Sequence, residues 1–349
     1  EMRDSIAADM PLQFARWGSS MSNWSQNIAN MINFSNKRPA RALNYVESTL
    51  GLNGQVVLTL DVFPQGAGRI QISTIVPDSL PWKGTYFNGN PVSISAIPNP
   101  GFQFDHWQNA NCITANDSSQ SITINFTVDD SVVAYFTGAA IEPHITFSEI
   151  NYQSNDSLDA GDWVEFYNPD SCDIDLTGWK FRDNDDAHVF NFPLGTVIKA
   201  NSYLVLAENL EEFSSQFDIA GDLDSNPNKH HVSNIIGSMD FGFANTGELI
   251  RLYDYHDSLH RSMSYSKLPP WPLAAAGQGY TLESINNNPD LDNGDNWFTG
   301  CLGGSPGTFY AAVQADIQAD SLLVLCAGDS VLLTTPMGPD FNYEWNKNG

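Results

Sequence analysis

Basic residues are scarce in this sequence. Its 349 residues include 15 Lys and Arg against 41 Asp and Glu, which gives a formal net charge of -26. A chain of this charge is repelled by phosphate backbones and by anionic lipids. We therefore expect no nucleic acid among its partners.

Long apolar runs and catalytic motifs are also missing. No apolar run approaches the roughly 20 residues of a membrane-spanning helix, so we expect no direct membrane insertion. No secretory signal opens the sequence. A helical pattern is already under way at Glu1 and a strand pattern ends just before Gly349, so we expect a fragment of a longer protein. The sequence has no P-loop, H-E-x-x-H or G-x-G-x-x-G motif, and we expect no catalysis by this segment.

Turn-forming residues are abundant instead. With 26 Gly, 19 Pro and 42% hydrophobic residues, the chain is expected to be mainly β, with two to four domains. Only the first fifty residues show a helical period. There we predict a helix over residues 3–17, a second capped by Ser22, and a third that begins at Pro39 and ends at Gly51.

Residues 55–137 alternate apolar and polar side chains, which predicts strands with one buried face. The predicted inward residues are Val56, Leu58, Leu60, Ile70, Ile72, Val92, Ile94, Ala96, Ile122, Ile124, Phe126, Val133 and Tyr135. Trp82, Tyr86, Phe87 and Trp107 leave two interpretations open, an aromatic platform for a sugar or side chains of the core.

Residues 145–167 have the pattern of two strands around a loop rich in Asp, Ser, Asn and Gly. On the second strand Val164 and Phe166 point to one side, while Trp163 and Glu165 point to the other. We therefore expect one of the two faces to be buried.

Further phrases follow in order: D-L-T-G-W-K-F-R-D-N from Asp175, F-A-N-T-G-E-L-I-R-L-Y-D from Phe243, N-P-D-L-D-N-G-D-N-W from Asn288 and G-G-S-P-G from Gly303. Together with residues 145–167, this series resembles the lamin-tail domain, an immunoglobulin-like β-sandwich found on secreted bacterial proteins. The resemblance implies a sandwich over residues 141–312 that tethers or binds and does not catalyse.

Other parts of the sequence resemble further modules. S-N-W-S-Q-N-I-A-N-M-I-N-F and R-P-A-R-A-L-N-Y-V, within residues 1–52, are similar to the closing helices of CotH-like protein kinases, whose catalytic residues lie upstream. G-R-I-Q-I and G-F-Q-F-D-H-W, within residues 53–140, are similar to small bacterial β-repeat modules. Residues 313–349 place a cysteine before a tryptophan and resemble the start of a truncated immunoglobulin-like domain.

The cysteines are Cys112, Cys172, Cys301 and Cys326, without the C-x-x-C spacing of a metal site. Cys172 and Cys301 both lie in the lamin-tail-like region and are candidates for a disulfide. The alternatives are that all four are free or buried, or that Cys326 pairs outside this sequence. Asx-rich loops suit an extracellular location, where disulfides persist.

Acidic residues form the candidate sites for chemistry. Glu149 and Glu165, near matching points of neighbouring strands, fit either a catalytic pair or anchors for backbone amides or for Arg251. Three loops could supply oxygen ligands to Ca2+, the one cofactor that the sequence suggests. Turn formation by Asp is the competing interpretation. The loops carry Asp156, Asp159 and Asp162; Asp183, Asp185 and Asp186; and Asp290, Asp292 and Asp295.

Asp-Ser before an apolar residue recurs seven times, where ordinary composition gives about one occurrence. The pattern looks like the O-glycosylation acceptor sequence of Bacteroidota, although Asp-Ser is also a favoured turn at the start of a strand. The serines are Ser5, Ser79, Ser131, Ser157, Ser258, Ser321 and Ser330.

We therefore predict a non-catalytic segment of a secreted or outer-membrane cell-surface protein, which acts as a structural, tethering or binding scaffold. Its partner would be a cell-surface or secretion-machinery protein, or a glycan. The layout resembles cargo of type IX secretion. The alternatives are an accessory part of a CotH-like kinase, and a calcium-stabilised adhesin or carbohydrate-binding module.

Overall fold

The computed structural model describes residues 2–109, 117–219 and 229–308, together with the backbone of 318–319 and 333–334. The chain divides into two compact units, residues 1–141 and 142–349. It is mainly β, as the composition predicts. No helix in the described part of the chain is both long and apolar enough to cross a membrane.

Three helices open the first unit: α1 spans Met2–Ile6, α2 spans Met10–Trp17 and α3 spans Met21–Leu50. The prediction of a helix starting at Pro39 was wrong, because α3 runs through this residue. Proline's fixed φ is itself helical, so the helix continues at the loss of one hydrogen bond. Ser20, not Ser22, caps α3, since its hydroxyl oxygen accepts the N–H of Asn23 at 3.1 Å. Gly51 ends the helix as predicted, with φ 63°.

The described residues of the first unit also form seven strands: β1 Gln55–Phe63, β2 Gly68–Ile72, β3 Trp82–Phe87, β4 Pro91–Pro98, β5 Phe102–Asn109, β6 Ser121–Asn125 and β7 Asp130–Gly138. They form a four-stranded sheet in the order β3-β1-β7-β5 and a three-stranded sheet in the order β2-β4-β6. β1 and β7 are parallel, and the other pairs are antiparallel. Apolar side chains from both sheets form one core.

The buried face of β7 differs from the prediction. The inward residues of β7 are Val132, Ala134 and Phe136, so the prediction of Val133 and Tyr135 was wrong by one position. A shift of one residue exchanges the two faces of a strand.

The indole of Trp107 is fully buried and donates to the carbonyl of Ser119 at 2.9 Å, so this residue belongs to the core and not to a sugar platform.

The second unit contains more and shorter elements. Its strands are β8 Thr146–Asn151, β9 Trp163–Asn168, β10 Ile174–Asp175, β11 Lys180–Arg182, β12 Phe190–Asn191, β13 Val197–Ile198, β14 Ser202–Ala207, β15 Asp218–Ile219, β16 His231–Val232, β17 Ile235–Ile236, β18 Leu249–Tyr253, β19 Leu259–Ser264, β20 Tyr280–Ser284 and β21 Trp297–Leu302. They form sheets in the orders β17-β14-β9-β8-β20-β21 and β12-β11-β18-β19, with two-stranded pairs β10-β13 and β15-β16.

Helical elements of this unit are short. α4 spans Leu210–Gln216, and three single turns of 3-10 helix span Leu273–Ala275, Ile285–Asn287 and Gly294–Asn296. Beyond residue 308 the described backbone comprises β22 Gln318–Ala319 and β23 Leu333–Thr334, which pair antiparallel. The rest of the predicted immunoglobulin-like segment at 313–349 lies outside the described residues.

The main core of the second unit lies between the six-stranded and the four-stranded sheet. Phe166 is at its centre, fully buried, with its ring 5.5 Å from that of Phe147, 5.8 Å from that of Phe181 and 5.7 Å from that of Phe192. Tilted and edge-on contacts of this kind are favourable beyond the area that they bury. The sandwich thus forms around the predicted apolar face of β9.

The predicted face of β9, with Val164 and Phe166, is buried, and the opposite face of the six-stranded sheet is covered as well. Trp163 on β9 is fully buried and contacts Phe213 of α4 edge-on, with ring centres 5.9 Å apart. Val205 and Val232 belong to the same small cluster. Because α4 packs on this face, polar side chains beside Trp163 are excluded from water too.

Replacing Phe166 by Ala is expected to destabilise the second unit by about 3–5 kcal/mol, because the change leaves a cavity among three other aromatic rings. Leu268→Ala is the control in the same unit, since Leu268 is 63% exposed, and it is expected to cost less than about 1 kcal/mol. A denaturant titration read by hydrogen exchange within residues 142–308 measures both. Equal costs would contradict the assigned core.

Candidate functional site

Three glutamates form a row across neighbouring strands of the six-stranded sheet. In the strand registers Glu165 of β9 lies opposite Glu149 of β8, and Glu149 lies opposite Glu283 of β20. Their exposed fractions are 1%, 1% and 4%, respectively. Carboxylates are almost never this buried without compensating partners. We define these three residues as the glutamate row.

A β-bulge in β8 directs two consecutive side chains toward the row. The register between β8 and β9 shifts between Phe147 and Glu149, so Ser148 is an extra residue on β8. A bulge of this kind turns side chains without ending the strand. Ser148 uses this position to donate from its hydroxyl to a carboxylate oxygen of Glu165 at 2.6 Å. Phe147 meanwhile keeps its place in the core.

Residues 303–308 lie over the glutamate row, and we call them the covering loop. The backbone N–H of Ser305 donates to Glu149 at 3.0 Å, and the N–H of Gly307 donates to Glu165. The Ser305 hydroxyl donates to Glu283 at 3.0 Å. Each glutamate of the row therefore accepts at least one hydrogen bond from the loop.

Further donors come from the end of the sheet. The hydroxyl of Thr281 donates to Glu149 at 2.5 Å, and the backbone N–H of Cys301 donates to Glu283 at 3.1 Å. The donors to the row from the described residues are neutral amide or hydroxyl groups. Hydrogen bonds alone do not offset the free-energy cost of burying three ionised carboxylates.

The pKa values of the row are raised in consequence. Burial, followed by the charges of Glu283 and Glu165, raises the pKa of Glu149 well above its usual range. Burial also raises the pKa of Glu165 to about 8 and that of Glu283 to about 7, and hydrogen bonds only partly offset it. Burial beside like charges therefore favours the protonated form of the row.

The space beside the row is too small for a substrate. A cavity of about 10 Å3 is lined by the row and by Ser148, Tyr203 and Thr308, among others. This volume corresponds to roughly one water molecule. A catalytic carboxyl must reach the reacting atoms of a substrate directly or through one water. The geometry therefore supports the interpretation of Glu149 and Glu165 as anchors of backbone amides.

The predicted alternative partner, Arg251, is elsewhere. Its guanidinium lies 2.9 Å from a carboxylate oxygen of Asp186 and donates to the carbonyl of Asp183. The expectation that Arg251 meets Glu149 or Glu165 was therefore wrong. The strand pattern could not reveal this, because Arg251 lies on the other sheet and is bound there by the loop after β11.

In the first predicted calcium loop, the carboxylates bind backbone amides. Asp159 accepts the N–H of Gly161 at 3.1 Å, and Asp162 accepts the N–H of Phe243 at 2.5 Å. Burial raises the pKa of Asp162 to about 7. Asp156 is exposed. Asp159 thus stabilises a turn of its own loop, and Asp162 fixes a distant segment.

The last predicted calcium loop is held by similar contacts. Asp290, Asp292 and Asp295 are all exposed, and Asp292 accepts the N–H of Ser264 at 2.7 Å. Within residues 2–109, 117–219 and 229–308, no three His, Cys, Asp or Glu side chains form a group that could hold a metal ion. Calcium binding stays a prediction, which melting with and without a chelator can test.

The other predicted sites have known positions but untested chemistry. Cys172 packs against the core of the sandwich, and Cys301 lies on β21; their pairing stays a prediction. Cys112 and Cys326 lie outside the described residues. Five of the seven candidate serines are exposed, and the other two, Ser321 and Ser330, lie outside the described residues. The exposed five are Ser5, Ser79, Ser131, Ser157 and Ser258.

Sequence reasoning missed Glu283 and the role of the covering loop. The phrases around both were recognised as motifs, but no contact between them was predicted. One signal was present: Glu149, Glu165 and Glu283 each sit inside an apolar strand pattern. Charged residues in such positions are rarely tolerated without a specific partner.

Comparisons with known proteins agree with two of the resemblances. Residues 139–267 match the family model of the Lamin Tail Domain, and residues 58–140 match that of the Divergent InlB B-repeat domain. No curated protein matches the chain. Among solved structures, the chain is similar to a DUF4876 family protein from Bacteroides thetaiotaomicron VPI-5482, with 10% identity, a TM-score of 0.28, and coverage of 72% of this chain and 93% of that chain.

Gly304 provides a test of the covering loop. Its φ is +95°, and a Cβ atom there would lie 2.8 Å from the Trp163 ring and 2.9 Å from Glu149. Gly303 has a φ of +87° but open space around it, so Gly303→Ala is the matched control. Both changes carry the cost of a positive φ, about 1–2 kcal/mol. Gly304→Ala should cost about 1–3 kcal/mol more, because it overpacks the site.

Urea denaturation of the two variants measures this difference. If Gly303→Ala and Gly304→Ala are equally stable, the loop does not lie on the glutamate row as described.

Proposed function

We propose that this chain is a non-catalytic segment of a secreted cell-surface protein, in which the β domains act as a structural, tethering or binding scaffold. The observation that carries this proposal is that the carboxyl groups of the glutamate row are occupied by hydrogen bonds within the protein. These three carboxyl groups, on residues at most 4% exposed, bind backbone amides and hydroxyls and leave space for about one water. Such a site stabilises a fold and offers no access to a substrate.

The domain composition supports the same proposal. The Lamin Tail Domain match and the Divergent InlB B-repeat match are adjacent along the chain, at 58–140 and 139–267. Consecutive β domains are a common way to extend a chain and to present binding surfaces on rigid supports. The acidic net charge of -26 disfavours anionic partners. We further propose that the protein is a cargo of type IX secretion.

Surface exposure is expected in the native host. If intact cells are treated with a protease, peptides from residues 58–308 should disappear while a periplasmic marker protein stays intact. Loop tips such as that around Ser157, which is exposed, should be cut first. If these residues are degraded only after the outer membrane has been opened, the proposed location is wrong.

Glycosylation belongs to the same proposal. All five candidate serines in the described residues are exposed, so a glycan on any of them need not disturb a core. The intact mass of the chain from the native host should exceed that of the same chain made in a host without the pathway. Replacing the five serines by Ala should remove part of the excess. Equal masses from the two hosts would contradict the proposal.

A second candidate function is supported by the helices. Leu12, Trp17, Phe34 and Tyr45 on α2 and α3 are 75%, 70%, 58% and 71% exposed. Exposed apolar side chains at this density mark a surface that another part of a protein can cover. We propose as the alternative that α1–α3 complete a CotH-like kinase domain. Nucleotide binding by the complete gene product, and its loss after deletion of residues 1–52, would favour this alternative; a complete product that binds no nucleotide would exclude it.

A further inference from the structure

The glutamate row and the covering loop together have the parts of a switch. Glu149, Glu165 and Glu283 stand side by side on three adjacent strands, at most 4% exposed. The loop that excludes water from them is also their main source of hydrogen bonds. Any change in the charge of the row therefore acts directly on the loop.

Other titratable groups around the row do not neutralise it. From β14 Tyr203 faces the row, and Tyr167 lies next to Tyr203 with ring centres 4.8 Å apart. The nearby glutamates and burial both act on Tyr203, and burial is the larger cause that raises its pKa. From β21 the N–H of Cys301 reaches Glu283. On the outer side of the loop, His230 lies 2.7 Å from the carbonyl of Pro306.

None of the side chains that contact the row among the described residues is a Lys or an Arg. The row is therefore compatible with the closed loop when it carries protons, and incompatible with it when all three carboxyl groups are ionised. Ionised carboxylates can recover their hydration only if the covering loop moves away.

We propose that Glu149, Glu165 and Glu283 form a proton-dependent latch, which holds residues 303–308 on the sandwich while it is protonated and releases them when it ionises. Ionisation transfers the protons to water, and no other reactant is required. The latch makes the end of the sandwich responsive to pH between the usual pKa of a glutamate, about 4.3, and the raised values in the closed loop.

The direction of the effect follows from linkage. In the open loop the three glutamates are hydrated and ionise near their usual pKa of about 4.3. In the closed loop the pKa values are raised, to about 7 for Glu283 and about 8 for Glu165. The closed form is thus favoured fully below about pH 4.3 and loses its advantage as the pH rises toward the closed-form values. Within that window, each proton released makes opening about tenfold more favourable per pH unit.

Hydrogen exchange of the full 349-residue chain tests the latch. After correction for the intrinsic exchange rate, the protection factor of the amides in residues 303–308 should fall at least tenfold per unit between pH 5 and 7. Amides of β1 in the first unit serve as an internal reference and should show no such fall. A protection factor of the loop that does not change with pH would overturn the proposal, and this measurement needs no variant.

Substitution assigns the effect to the row. Glu165→Gln keeps an oxygen that accepts from Gly307 but cannot ionise, so the pH dependence should become weaker and protection at pH 8 should increase. Glu142→Gln is the matched control, because Glu142 is exposed in the same unit. His230→Gln tests the contact with Pro306. If His230→Gln removes the pH dependence while Glu165→Gln leaves it intact, the glutamates are not the latch.

Salt composition separates protons from bound cations. Replacing choline chloride by sodium chloride at the same ionic strength should leave the protection of residues 303–308 unchanged at pH 8. If sodium restores protection, a cation and not a proton neutralises the row, and the proposal is wrong.

Discussion

The sandwich depends on one electrostatic constraint: three carboxyl groups are buried side by side, and no Lys or Arg of the described residues forms a salt bridge with them. Glu149, Glu165 and Glu283 replace hydration with amide and hydroxyl donors from the covering loop and from the neighbouring strand ends. The constraint links the beginning of the sandwich, at β8 and β9, to its end at residues 303–308. Removing any of these donors leaves a buried carboxyl group with an unmade hydrogen bond, which lowers the stability of the fold.

The same constraint explains why both faces of the six-stranded sheet must be covered. Phe166 on one side of β9 lies in the aromatic core, while Trp163 and Glu165 on the other side need α4 and the covering loop. A lone sheet face with these residues would expose an indole and force the carboxyl groups into water. The sandwich therefore requires α4 and the covering loop, because they bury the second face of its six-stranded sheet.

Much of the fold could be predicted from the sequence, because alternation and turn residues report burial locally. The mainly β class, the end of α3 at Gly51 and the inward position of Phe166 follow from such local patterns. The start predicted at Pro39 was wrong, since a preference for the first turn does not forbid a place inside a longer helix. The reversed face of β7 was an error of one residue in a period of two.

The site was harder to predict, because it is assembled from distant parts of the sequence. Glu149 and Glu165 were recognisable as neighbours, whereas Ser305 lies 156 residues after Glu149. No local pattern indicates which loop covers a strand. Arg251 was assigned to the wrong partner for the same reason, since only the packing of the second sheet directs it to Asp186.

Selective labelling of glutamate carboxyl carbons and their titration by NMR address the role of the row most directly. A buried, amide-bound row predicts carboxyl resonances that titrate far above the usual value of about 4.3, and Glu165→Gln should remove one of them. If every glutamate of the chain titrates near the usual value, the row is hydrated, and it does not hold residues 303–308 in place.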